Sequence, residues 1–125
     1  MTVETTGDEP DLGALVEEWL DWAACAQHLG VSVSKVRQWI REHVLAAAVP
    51  TPGAGQQVPA GLVMDGEVVK GIPGVLTVLH DGGYDDRQSI AWLFTEDPTL
   101  PGRPIDAFRE NRGSEAKRRA QAMAF

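Results

Sequence analysis

Ser34, Lys35, Arg37, Gln38 and Arg41 crowd into one short stretch of the chain. Arg and Gln can pair with base edges in a DNA groove, while Ser and Lys hold phosphates. Val33, Val36 and Ile40 recur at i, i+3 and i+7, the spacing of one face of a helix. If that face meets a core, the polar residues share the outward face, as a recognition helix requires. A solvated helix face is the plain alternative. Other chemistry is sparse. None of His28, His43 and His80 has a neighbour at metal-ligand spacing. His80-Asp81 before Gly82-Gly83 reads as a helix end, where a histidine meets the negative end of the dipole. No glycine loop sits in the strand–loop–helix setting that cradles phosphate. The sequence implies no enzyme, no cofactor and no metal.

The elements that must position those side chains can be read from turn and cap signals. Asp21 is an N-cap candidate for a helix from Trp22 to about His28, Gly30 breaks it, and Ser32 caps a second helix from Val33 to about His43. Ala26 is small where two helices would cross, and Gly30 lies where positive φ is easiest. Cys25, Leu29, Val31, Val36 and Trp39 fill apolar places between the helices. Together these form a helix-turn-helix pattern from Trp22 to Ile40. Leu45 to Val49, a Gly/Pro loop from Pro50 to Gly55, and Gln56 to Pro59 then read as a minimal β-hairpin, a wing. The wing loop has no basic residue, so its contacts would come from Thr51, Gln56, Gln57 and backbone amides.

Before this motif, Leu15, Val16, Trp19, Leu20 and Trp22 suit a short helix or a lead-in segment packing on the next element. After it, Ala60 to Met64 reads as helical or irregular, and Asp65-Gly66 as a turn. The remainder reads as helices. One is centred on Val75 to Leu79, and one runs from the Asp85 cap to about Phe94. A third runs from Pro104 to Arg112 and is ended by Gly113. The last is capped by Ser114 and runs from Glu115 to Ala124. The fold class is mainly α: a winged helix-turn-helix followed by a small C-terminal helical unit. The expected division is an acidic disordered tail over 1–13, the winged helix-turn-helix over 14–67 and the helical domain over 68–125.

Net charge is −7, but it is unevenly placed. Residues 1–21 hold seven acids and no base, and the remaining 104 are neutral. Nucleic-acid binding depends on a local basic face and not on the overall balance. Arg103, Arg109, Arg112, Lys117, Arg118 and Arg119 form a second candidate basic surface. A single cysteine, Cys25, excludes a disulfide framework and a multi-thiolate metal site, and reads as a small buried hydrophobe. No secretory signal or membrane-spanning run is visible, so the expected compartment is the cytoplasm, without membrane insertion.

Leu29 to Val36 followed by Trp39-Ile-Arg-Glu42 resembles the excisionase and mercury-resistance-regulator type of winged helix. Val68 to Tyr84, Trp92 to Thr95 with Asp97-Pro98, and Arg118 to Phe125 are longer words. They resemble a family of small mycobacterial and other actinobacterial winged-helix DNA-binding proteins, over roughly residues 20 to 125. This resemblance implies double-stranded DNA as partner. It also implies control by a membrane-anchored serine/threonine kinase acting on a threonine of the N-terminal tail, where Thr5 and Thr6 are the candidate acceptors. The C-terminal half more loosely resembles the toxin-binding domain of certain antitoxins, through Ala91 to Phe94, Asp97-Pro98 and Arg103 to Asp106. Two functions compete: a DNA-binding regulator or nucleoid-associated protein, and a protein-interaction module in which the helix-turn-helix only packs. The sequence does not give the oligomeric state.

Overall fold

The computed structural model describes residues 11–124. Most of the expected tail, with Thr5 and Thr6, lies outside the described residues. Its last three positions are part of the fold. Asp11 caps a one-turn helix, α1 (Leu12–Leu15), its carboxylate accepting from the Ala14 amide at 3.3 Å. Leu12 is 1 % exposed. Leu12, Leu15 and Val16 together offer enough apolar surface to bring the chain onto the core, where α1 packs against the helix Asp86–Phe94. The stretch that follows is extended and contains β1 (Trp19–Leu20).

The helix-turn-helix consists of α2 (Trp22–Leu29) and α3 (Val33–Arg41). Beyond it, Leu45, Ala46, Ala47 and Ala48 are all buried. Four small or apolar residues in a row have no outward polar side, so they fill space instead of forming an alternating strand. The wing ladder is therefore reduced to one bridged pair, with Ala48 and Gln57 exchanging backbone bonds of 3.0 and 2.9 Å. The returning strand, β2 (Val58–Pro59), then turns to β1, pairing Trp19 with Pro59 and Leu20 with Val58 antiparallel. A 3₁₀ turn (Ala60–Leu62) leads into a tight hairpin of β3 (Val63–Met64) and β4 (Glu67–Val68). Its Asp65-Gly66 turn has φ of 55° and 79°, positive at both central residues as a type I′ hairpin turn demands.

The C-terminal half is helical: α4 (Ile72–Asp81), α5 (Asp86–Phe94), α6 (Pro104–Arg109) and α7 (Gly113–Ala124). A reciprocal capping box of Asp85 and Gln88 starts α5. The structure departs from the expected limits at the α6–α7 corner. Asn111, at φ 60°, ends α6 early, and Gly113 begins α7 instead of stopping its predecessor. The cause is Phe108: a Cβ on Gly113 would lie 2.5 Å from its ring, so only glycine lets the backbone pass.

A single buried core runs through both halves, from Leu12 and Val36 to Ile90, Ile105 and Ala120. Two arginines lace its edge. Arg109 donates to the carbonyls of Gly61 at 2.8 Å and Val63 at 3.1 Å. Arg103 bridges Glu17 and Asp106, each at 3.0 Å. The second basic surface expected from the sequence is thereby largely consumed, since Arg112 pairs with Glu110 and Arg119 with Asp97.

Two measurements test this construction. Val36 is fully buried between the helices, so Val36→Ala should cost about 2 kcal/mol and lower the melting temperature by several degrees. The Arg103 guanidinium, chiefly by hydrogen bonding, holds the carboxyls of Glu17 and Asp106 below their ordinary values of 4.5 and 3.8. A depressed carboxyl stabilises the fold above its ordinary value and loses that contribution as pH falls through its folded one. Arg103→Met should therefore be less stable than the unaltered chain at neutral pH, with the gap closing below those values in melts across an acid series.

Candidate nucleic-acid interface

The helix-turn-helix is set by caps before it is set by packing. The Asp21 carboxylate accepts from the Ala24 amide at 2.8 Å, and the Ser32 hydroxyl from the Lys35 amide at 3.1 Å. Gly30, at φ 68°, turns the chain between them. Ala26 is almost fully buried at the crossing, and its carbonyl accepts from the Val31 amide at 3.0 Å. Cys25 is wholly buried, and burial pushes its thiol pKa up to about 11, as suits an inert core residue.

The buried arc of α3 centres on Val36, with Trp39 and Ile40 half-buried beside it. Val33, expected in the core, is 39 % exposed. It lies about 60° around the helix from Val36, on the flank towards Arg37. Ser34, Arg37 and Arg41 are exposed, and Lys35 and Gln38 are half-buried. The predicted face is thus assembled, with two internal ties. Lys35 Nζ lies 5.8 Å over the Trp39 ring, and Gln38 donates to Glu42 at 2.9 Å. Arg37 and Arg41 have no acidic partner among the described residues.

Of the wing residues, Thr51 and Gln56 are exposed and Gln57 is half-buried, its backbone in the Ala48 bridge. Gln56 lines one surface cleft with Ile40, Ala47, Val49 and Arg87. Arg87 donates to the Val49 carbonyl at 3.0 Å. It brings a basic group to the base of the wing, whose own loop has none. No local signal marks it, since it belongs to a helix far along the chain.

The C-terminal end of α3 is equally well held. His43 takes the left-handed conformation at φ 62°, closing the helix with bonds from its amide to Ile40 and from Val44 to Trp39. Glycine would serve there without the roughly 1–2 kcal/mol that a side chain costs in that conformation. The His43 ring stacks on His80, centroids 3.8 Å apart. His80 Nε2 lies 2.8 Å from one Asp86 carboxylate oxygen, and the other oxygen accepts from the Ala47 amide at 3.1 Å. His43, His80 and Asp86 are the one His/Cys/acid group among the described residues that could hold a metal ion. Their separation in sequence hid them from a search for local ligand spacing. Among the described residues no helix is long and apolar enough to cross a membrane.

Comparison with known proteins agrees with this architecture. Residues 11–61 match the family model described as DNA-binding protein Rv2175c, wHTH domain. Residues 69–124 match the Rv2175c C-terminal domain of unknown function. The chain is 42 % identical over 122 residues to the DNA-binding protein Rv2175c of Mycobacterium tuberculosis (strain ATCC 25618 / H37Rv), covering 87 % of this chain and 82 % of that protein. The NMR structure of Rv2175c superposes with a TM-score of 0.77 at 40 % identity, covering 94 % of this chain and 83 % of that one. With one winged helix-turn-helix and one helical unit matched in order along nearly its whole described length, the chain belongs to the Rv2175c family.

Proposed function

We propose that this protein binds double-stranded DNA with α3 in the major groove, as a transcriptional regulator or nucleoid-associated protein of the cytoplasm. The observation that carries the reading is the outward face of α3. Arg37 and Arg41 stand one turn apart, exposed, and without an acidic partner among the described residues. An unpaired, hydrated arginine pair on a helix that fits the groove can meet guanine edges or phosphates without first breaking an internal ion pair. Ser34, Lys35 and Gln38 flank the pair, and Val33 adds methyl groups suited to a thymine methyl. Thr51, Gln56 and Gln57 offer the wing's contacts. The name of the relative, DNA-binding protein Rv2175c, supports the same partner.

Arg37→Ala and Arg41→Ala should each weaken binding to a preferred duplex by about 1–3 kcal/mol, while changing folding stability by about 0.5 kcal/mol or less. Titrations against preferred and scrambled duplexes, paired with melts, separate the cases. A base reader loses its preference, a phosphate contact weakens all duplexes alike, and unchanged affinity in both variants removes the groove assignment.

The acids of residues 1–10 (Glu4, Asp8 and Glu9, with no base) compete with phosphate for the same positive face. Deleting residues 1–10, and leaving Leu12 in the core, should tighten binding at low salt and less so at high salt, because screening removes the competition. A phosphate on Thr5 or Thr6, from a serine/threonine kinase, would add about −1.5 to −2 charges and act in the opposite direction to the deletion. Phosphomimetic and deleted chains should accordingly bracket the unaltered one in affinity at low salt.

A further inference from the structure

We propose that His43, His80 and Asp86 form a binding site for a divalent transition-metal ion of the Zn²⁺ class, which joins the end of the recognition helix to the C-terminal unit. One donor atom from each of the three residues lies within 4.8 Å of the others. In a tetrahedral site with bonds of about 2.1 Å, donors stand about 3.4 Å apart, so the three side chains must draw their donors slightly closer together. Two imidazoles and one carboxylate are the ligand set of many three-residue zinc sites, with a water in the fourth position. The imidazoles select such ions over Mg²⁺ and Ca²⁺.

Three features prepare the site. His43 Nδ1 is buried and has no hydrogen-bond partner, so a lone pair or a ring proton stands unused in the interior. The ring is brought there by a backbone in the left-handed conformation, at φ 62°, which few residues other than glycine adopt. Asp86 is oriented from behind by the Ala47 amide, the kind of support that fixes a ligating carboxylate. In the metal-free arrangement His43 and His80 lie stacked, with 19° between their planes, and Asp86 holds His80. In-plane lone pairs of stacked rings run side by side. Metal uptake must therefore fan the imidazoles apart and replace the His80–Asp86 hydrogen bond with two bonds to the ion, the ring proton of that hydrogen bond passing to solvent or to the other ring nitrogen.

The full chain, stripped with a chelator and titrated with Co²⁺, is expected to develop visible ligand-field bands that saturate at one ion per chain and are bleached by Zn²⁺. In NMR of the unaltered chain, Zn²⁺ should shift the ring signals of His43 and His80 and leave those of His28, which is exposed and far along the chain from the cluster. His43→Asn retains a residue at ease in the left-handed backbone. It and Asp86→Asn are each expected to weaken Co²⁺ binding roughly tenfold or more. Absence of saturable Co²⁺ binding, unaltered affinity in a folded variant, or shifts confined to His28 would overturn the site. The NMR reading needs no substitution, so it decides even where a variant fails to fold.

Discussion

The first turn of α5 grips the chain that leaves α3, and the placement of that helix's outward face depends on the grip. Asp86 takes the Ala47 amide and His80, Arg87 takes the Val49 carbonyl, and His43 lies flat on His80. These contacts fix where α3 ends and where the wing begins. A helix-turn-helix of two short helices has little core of its own. Here the C-terminal helices supply the missing support, and α1 comes back across α5 to complete it. The outward arginines of α3 are thus displayed on an element whose far end is anchored, so their spacing does not depend on the bare wing.

The same residue type meets opposite fates in the two halves, and the placement of partners decides which. Arg103, Arg109, Arg112 and Arg119 each find a carboxylate or carbonyl within about one side-chain length, and they act as ties between segments. Arg37 and Arg41 project from a helix whose neighbours lie behind it. A count of positive charge along the chain cannot distinguish these cases. Only the placement of Glu17, Asp97, Asp106 and Glu110 does, and three of those four belong to the same half as the arginines they neutralise.

What could be read from the sequence was local. Asp21, Ser32, Asp85 and Gly30 announce their caps and turn by residue type, and the structure uses each of them in that way. The outward positions of Ser34, Arg37 and Arg41 followed from helical phase once Val36 was placed inside. Val33 escaped because its spacing from Val36 and Ile40 fits the apolar face, while the width of the buried arc is set by the tertiary packing and not by the spacing. The order of Leu12, the α6–α7 corner and the His43–His80–Asp86 cluster escaped for one reason. Each depends on a partner distant in sequence: the α5 helix for Leu12, Phe108 against Gly113, and two helix ends meeting the chain after α3.

The Arg109 bonds to Gly61 and Val63 carry a consequence for the lineage. The carbonyls that receive them lie at the join between the two matched families, and Leu62, between them, is wholly buried. A recombination event that set this winged helix beside another partner would leave two peptide oxygens and a leucine exposed at the seam. The first half thus closes its own end with a side chain of the second, and the two stand or fall as one folding unit.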